Sequence, residues 1–340
     1  MATALLATMS DLAVVVAKPR AESAIEACRS AGVYDEDRSV REHGTDAVAV
    51  PVTAVPDIPH REVVHQAGPA RERTLADRLR ARGWTDDEID RAPSSWAVLG
   101  SVILVAVGDT PRPRELGAAL LDLHHEADTV CARKSIDGPH RDPSIEVIAG
   151  SGDTETVHRE HGIDYAMDVA EVMFSPGNKA ERARMQDVVE AGDEVLDMFA
   201  GIGYFTLPMA AGGGAVTAVE HNPTAFRYLL ENARSNDLDD RIAPYRADCR
   251  DVAPSVTADR VVMGHYDAHE YLDAALAALG PGGVIHYHEA TPADIGIDRP
   301  IDRLDAAAAD SNRSVEMLDH HCVKSYSEGV DHLVVDARID

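Results

Sequence analysis

The sequence predicts an α/β protein whose C-terminal half is a parallel sheet wound by helices on both faces, with two smaller α+β regions ahead of it. Two observations carry this. From Glu194 onward short apolar runs alternate with amphipathic helical stretches, the pattern of strands joined by crossover helices. At 340 residues the chain also exceeds what one core usually organises.

The first region, residues 1–60, opens on LAVVVA (12–17), which reads as a buried strand. An amphipathic helix from Ala21 to Ala31 and a strand AVAVPV (47–52) follow. The segment VPDIPHREVV (55–64), with prolines three residues apart, reads as a linker. The stretch before Leu12 is mildly apolar, but Asp11 interrupts it and no basic residue precedes it, which argues against a signal peptide. No run of eighteen apolar residues occurs, so no membrane span is expected. A cytoplasmic protein without a membrane partner is the expectation.

The second region, residues 61–165, carries an Arg-rich helix, LADRLRARGW, and then TDDEIDRAP, where Thr85 reads as a helix cap with Glu88 three residues on. WAVLGSVILVAV (96–107) reads as one apolar strand, and Arg114 to Asp128 as a helix. Short strands and turns are expected from Arg141 to Val169. No internal repeat or low-complexity tract is present.

The third region, residues 166–340, is the clearest. Strand EVLDMF, loop AGIGYF, helix TLPMAAG, strand AVTAVE, helix PTAFRYLLENARSND, strand IAPYRAD, strand DRVVMG, helix HEYLDAALAAL, turn PGG and strand VIHYHEA follow in order. Such a doubly wound, Rossmann-like sheet binds ligands outside the carboxyl ends of its strands.

Composition narrows the function less than it first suggests. A net charge of -27 would ordinarily argue against a nucleic-acid partner, because phosphate binding draws on Lys and Arg. Only four of the 32 basic residues are Lys, however, and Asp is spread along the whole chain, as expected of a protein adapted to a salt-rich cytosol. From His60 to Arg141 twelve Lys/Arg face thirteen Asp/Glu, against eleven and twenty-eight from Gln186 to Asp340; the middle of the chain is therefore the place where a polyanion meets least repulsion. Cys28, Cys131, Cys249 and Cys322 form no C-x-x-C pair, so neither a disulfide framework nor a zinc ribbon is indicated.

The cofactor site begins at Asp197-Met-Phe-Ala-Gly201-Ile-Gly203, where a strand ends and a helix begins. Glycines there let backbone approach a ligand, and free N–H groups favour a polar or anionic group. Alone this fits any tight turn. Glu220 ends the next strand, where a carboxylate accepts both hydroxyls of a ribose, and Asp248 ends the one after, where it accepts from an adenine amino group. The third glycine of a dinucleotide fingerprint is missing, Thr206 standing in its place. With no diphosphate to cradle, S-adenosylmethionine is favoured over NAD.

FSPGNKAERARM (174–185), VLDMFAGIGYFTLPMA, EHNP, ADCR and GGVIHYHE together resemble the archaeal tRNA-modifying transferases that act on the purine 3′ of the anticodon. One branch methylates guanosine on its N1; the wybutosine-synthesising branch transfers a 3-amino-3-carboxypropyl group from the same cofactor. The resemblance implies a class I S-adenosylmethionine-dependent transferase acting on tRNA, with tRNA(Phe) as substrate and a monomer as the favoured state. It further implies that Ser175 and Arg182 contact the methionyl part of the cofactor, that Glu220 holds the ribose, and that Asp248 and Cys249 meet the adenine edge. The family usually has Asn where this chain has Cys249, so a backbone N–H is the alternative contact there.

The methylating branch ordinarily carries Asn-x-Pro at the end of its fourth strand. This chain has Met263-Gly264-His265-Tyr266, with Gly in the Asn position and no proline, which matches the aminocarboxypropyl branch. All three carbons on a sulfonium are electrophilic, so the product depends on which one the protein holds in line with the nucleophile. His265 is the candidate for contact with the target base. Tyr204 and Phe205 either stack on that base or pack the first helix, with packing favoured for Phe205. His286 and His288 alternate onto one strand face without a third ligand nearby, so no metal is expected, and His320 and His321 read as surface residues. The preferred reading is aminocarboxypropyl transfer; guanine-N1 methylation and a non-catalytic tRNA-binding module are its rivals.

Overall fold

The computed structural model describes residues 12–65, 71–138 and 141–340. The stretch on which the signal-peptide reading rests lies outside the described residues. The chain divides into two compact units, Met1–Asp90 and Arg91–Asp340.

In the first unit, β1 (Leu12–Ala17), α1 (Ala21–Ser30), β2 (Arg41–His43), β3 (Ala47–Pro51) and β4 (Glu62–His65) form an antiparallel sheet of order β2-β3-β1-β4. Val14, Val16 and Val50 point to one face, where they bury against Ala24 and Cys28 of α1. The expected linker does not run its full length. Its last residues pair with β1, Val63 opposite Val14 and Val64 opposite Ala13, because two adjacent β-branched residues after the prolines suit an edge strand. Helices α2 (Leu75–Ala81) and α3 (Asp86–Ile89) both start on capping boxes, Thr74 with Asp77 and Thr85 with Glu88.

The second unit opens with β5 (Trp96–Leu99), β6 (Val102–Val105), α4 (Pro113–Leu123), β7 (Thr129–Asp137) and β8 (Asp142–Gly150), in sheet order β5-β6-β7-β8. The single strand expected over 96–107 is a hairpin, turned at Gly100 (φ +54°), where a Cβ would collide with the carbonyl of Val157. The helix expected to reach Asp128 stops at Leu123. Next come the hairpin β9 (Glu155–Glu160) and β10 (Ile163–Asp168) and then α5 (Lys179–Val188).

The main sheet is built from β11 (Glu194–Asp197), α6 (Thr206–Gly212), β12 (Ala215–Val219), α7 (Pro223–Ser235), β13 (Ile242–Tyr245), α8 (Cys249–Val252), β14 (Ala258–Met263), α9 (Leu272–Ala278), β15 (Leu279–Pro292), α10 (Asp298–Asp310), β16 (Val315–Ser327) and β17 (Val330–Ile339). Its order is β13-β12-β11-β14-β15-β17-β16. The first five are parallel, as expected; β17 runs antiparallel between β15 and β16, closing the sheet with a hairpin. Alternate residues feed two cores: Val195, Ala218 and Val262 join one, Leu196, Val219 and Val261 the other. The strand order reverses between β11 and β14, so their carboxyl ends open the crevice in which this fold holds ligands.

Candidate active site

A cavity of about 470 Å³ lies at that switch point. One end is made by strand termini. The N–H of Gly201 (φ +58°) donates to Glu220 Oε2 at 2.8 Å, and that of Asn222 to Glu220 Oε1 at 2.6 Å. Each carboxylate oxygen thus spends one lone pair on the backbone and keeps another for a ligand hydroxyl. Asn222 also caps α7, accepting from the N–H groups of Thr224 and Ala225. Asp248 caps α8 through the N–H of Arg250 at 2.9 Å, and hydrogen bonds from the Arg250 guanidinium hold its carboxyl down at about 2. Cys249 lines the cavity but is buried, and burial pushes its thiol up to about 12, so it is an uncharged apolar neighbour rather than a nucleophile.

Two predicted residues shape this end without lining it. Asp197 is fully buried; it accepts from Thr206 Oγ1 at 2.7 Å and from the N–H of Phe199, tying the start of α6 to β11. Burial pushes its carboxyl up to about 6. Gly203 (φ +105°) faces Leu207, where a Cβ would stand 2.7 Å from Cγ. It lets α6 pack close to the turn.

The other end is assembled from distant segments. Ser175 lines the cavity, its N–H donating to Tyr204 Oη at 3.1 Å and its Oγ accepting from Lys324 Nζ at 2.6 Å. Burial and the charges of Arg182, Arg133 and Arg141 lower the Lys324 ammonium to about 8. Arg182 is 1 % exposed and does not line the cavity, so the direct contact implied for it is not what the side chain is placed to make. It stands behind Ser175, donating to that carbonyl at 3.0 Å and forking onto Glu160 at 2.7 and 3.0 Å. Burial works to raise the Glu160 carboxyl, but hydrogen bonds from His158 and Arg182 outweigh it and hold it at about 2.

Tyr204 stacks on Phe174 with ring centroids 5.3 Å apart, and its hydroxyl donates to the Met173 carbonyl while accepting from Ser175 N–H. Burial raises this phenol above its ordinary range. With both of its roles engaged, the hydroxyl positions the 173–175 segment and is not free for acid–base work. Phe205 is buried, and its ring fills the space beside Gly264: a Cβ there would lie 2.7 Å from Phe205 Cε2. His265 stacks on Phe199 at 5.1 Å, and its Nδ1 accepts from the Asp267 N–H at 3.1 Å, which leaves the proton on Nε2. Burial, with the charge of Arg141, lowers its pKa.

Several lining residues lacked any motif in the sequence: Arg141, whose guanidinium sits 5.2 Å over the ring of Tyr266; Tyr271; and His332 on β17. His321, read as a surface residue, is instead partly buried, 2.9 Å from Glu181. No cluster of three or more metal-ligating residues occurs among the described residues.

Sheet order, the glycine turn and a carboxylate braced by backbone at the end of the second strand define the class: a Rossmann-like S-adenosylmethionine-dependent transferase. Comparison with known proteins makes this specific. The TRM5/TYW2 methyltransferase domain matches residues 156–318, and the TYW2 N-terminal domain matches residues 75–154. A tRNA(Phe) (4-demethylwyosine(37)-C(7)) aminocarboxypropyltransferase of Pyrococcus horikoshii is 37% identical over 254 residues, covering 73% of this chain and 90% of its own. The solved structure of Trm5b from Pyrococcus abyssi superposes with a TM-score of 0.74 at 30% identity, covering 97% of this chain and 99% of its own. That of P. horikoshii TYW2 in complex with MeSAdo gives 0.67 at 32% identity, over 78% and 97%. The chain belongs to the TRM5/TYW2 family.

Proposed function

We propose that this protein transfers the 3-amino-3-carboxypropyl group of S-adenosylmethionine to C7 of 4-demethylwyosine, the tricyclic purine 3′ of the anticodon of tRNA(Phe). The observation that carries the choice of group is the end of β14. Phe205 occupies the volume beside Gly264, so the Asn-x-Pro side chains with which the methylating branch places guanosine have no counterpart here. The TYW2-type N-terminal match supports the same branch.

The residues present fit the cofactor. Glu220, already braced by Gly201 and Asn222, takes the ribose hydroxyls; Asp248 and the backbone at Cys249 take the adenine edge. Ser175 takes the methionyl end, held in place by Tyr204 and by Arg182 behind it, with Lys324 and Arg141 adding positive charge suited to a carboxylate. When bound, S-adenosylmethionine supplies a sulfonium with three electrophilic carbons, and the protein selects among them by orientation. His265 presents an Nε2–H donor, suited to a ring nitrogen or carbonyl of the target base. Residues 1–60 and 61–165 serve tRNA binding and residues 166–340 the chemistry, in a monomer.

The test is product analysis in high salt, with cofactor and tRNA carrying the tricyclic precursor, beside unmodified tRNA. Methylthioadenosine with an aminocarboxypropyl mass gain on the precursor tRNA alone is expected. S-adenosylhomocysteine with a methyl gain on unmodified guanosine overturns the reading.

A further inference from the structure

A base stacked between its neighbours cannot enter a cavity of about 470 Å³; it has to swing out of the stack. Each neighbour is then left with one bare face. An aromatic side chain can cover such a face if it stands just outside the cavity with its own ring open to water. Among the described Phe, Tyr and Trp residues only Tyr245 and Tyr326 are exposed, at 48 % and 49 %. Of these two, Tyr326 adjoins the cavity: its ring centroid is 4.4 Å from that of Tyr266, a half-buried residue of the cavity lining.

Local structure aims this side chain. Tyr326 lies near the end of β16, where Ser325 pairs with Asp331 and Ser327 with Val330, so Tyr326 is the extra residue of a β-bulge. Bulges re-aim a side chain and gather beside active sites. Two residues earlier on the same strand, Lys324 Nζ donates to Ser175 Oγ at 2.6 Å, and Ser175 lines the cavity. One strand end thus supports the cavity wall with one side chain and stands beside the cavity with another. Tyr266, which backs the exposed ring, is itself held. Its carbonyl accepts from the Ala290 N–H at 3.3 Å, His332 meets its ring edge-on at 4.9 Å, and the Arg141 guanidinium lies 5.2 Å from the ring centre.

A single exposed tyrosine is ordinary on a protein surface. The charge of this chain gives the contact more weight. A net charge of -27 with only four Lys leaves little general attraction for a polyanion, so contacts that carry no charge supply a larger share of the binding. One cation suited to phosphate stands in the same neighbourhood: Arg133, exposed on β7, is close enough to Lys324 for its charge to help lower that ammonium.

We infer that Tyr326 is a stacking platform beside the cavity, holding the base of a nucleotide next to the target while the target purine occupies the cavity. The inference rests on the proposed action at the purine 3′ of the anticodon, and not on which group is transferred there. Tyr326 is a positioning residue in this arrangement; it touches neither the cofactor nor the reacting carbon.

The test is the affinity of precursor tRNA for wild type, Tyr326→Ala, Tyr326→Phe and Tyr326→Leu, measured by fluorescence anisotropy, with cofactor affinity measured by calorimetry on each. Stacking on one base is worth roughly 5- to 150-fold in affinity. Tyr326→Ala should therefore weaken tRNA binding by about tenfold or more, while cofactor affinity stays as in wild type. Tyr326→Phe should restore tRNA binding and Tyr326→Leu should not, because only the former offers a flat face. The deciding measurement repeats the comparison on tRNA carrying an abasic residue immediately 5′, or immediately 3′, of the target. On one of the two, the loss caused by Tyr326→Ala should shrink by more than about twofold, the margin beyond which two changes count as coupled. That tRNA identifies the neighbour held. Losses that stay the same within about twofold on both abasic tRNAs overturn the inference and leave Tyr326 an ordinary surface residue. A wild type that binds no precursor tRNA removes the proposed function and this contact with it, whereas a methyl product changes the reaction and leaves the contact standing.

Discussion

The two ends of the cavity are built by different means. At the end proposed to hold the nucleoside the candidate contacts come from strand termini within about fifty residues of sequence, Gly201 to Cys249, and the carboxylate of Glu220 is held by backbone N–H groups. At the reactive end the lining comes from Arg141, Ser175, Tyr204, Tyr266 and His332, spread over most of the second unit and held by side chains. Backbone contacts follow from the fold and tolerate sequence change. Side-chain contacts must each be supported from behind, by pairs such as Arg182 with Glu160. The first arrangement suits recognition of a common cofactor, the second a reaction that differs between branches of one family.

The largest expected effect breaks the nucleoside end. Glu220→Ala removes a carboxylate placed to accept two hydroxyls and leaves the N–H groups of Gly201 and Asn222 without their partner. Charge-assisted bonds contribute about 1.5–3 kcal/mol each, so cofactor binding should weaken by two or more orders of magnitude in calorimetry while the fold survives. Wild-type affinity in that variant would remove Glu220 from the site.

The next effect falls on stability. Glu160→Gln leaves the Arg182 guanidinium, 1 % exposed, without its charge partner, and breaking a buried pair in this way costs about 3–5 kcal/mol. The same pair sets a pH dependence. The folded carboxyl sits at about 2, below the roughly 4.3 of an unfolded Glu. Its contribution is therefore complete above the unfolded value and lost as pH falls through the folded one. Wild type should lose more stability than Glu160→Gln between about pH 4.3 and 2. Parallel denaturation curves over that window would show that the pair is not linked to folding.

The same contrast explains what could be read from the sequence. Gly201, Glu220 and Asp248 were legible as neighbours at one cavity because sites at strand ends repeat at regular distances along an alternating strand–helix pattern. Arg182 was legible as a site residue through resemblance, but its position behind Ser175 was not, because its partner Glu160 lies on a hairpin 22 residues earlier with no motif around it. His332 and His321 were invisible as neighbours of His288 and Glu181, since no turn motif in the sequence marks the β16–β17 hairpin that brings them together. Val63 and Val64 were hidden by the prolines before them, and the hairpin at Gly100 by the unbroken apolar run through it.

The smallest expected effect sharpens the comparison at Cys249. If the nucleoside end works through backbone, the side chain following Asp248 should matter little, even though it lines the cavity. The residue is 4 % exposed and its thiol is kept protonated by burial, so it offers the ligand only packing and a weak S–H donor. Cys249→Ala removes one buried sulfur and leaves the start of α8 capped by Asp248. Cofactor affinity should change by no more than about fivefold, of the order of 1 kcal/mol, with Asp248→Ala costing more because it removes both the cap and an acceptor. A loss at Cys249→Ala as large as that at Asp248→Ala would mean that the side chain, not the backbone, meets the ligand at this position. The contrast between the two ends would then reduce to one of sequence spacing alone.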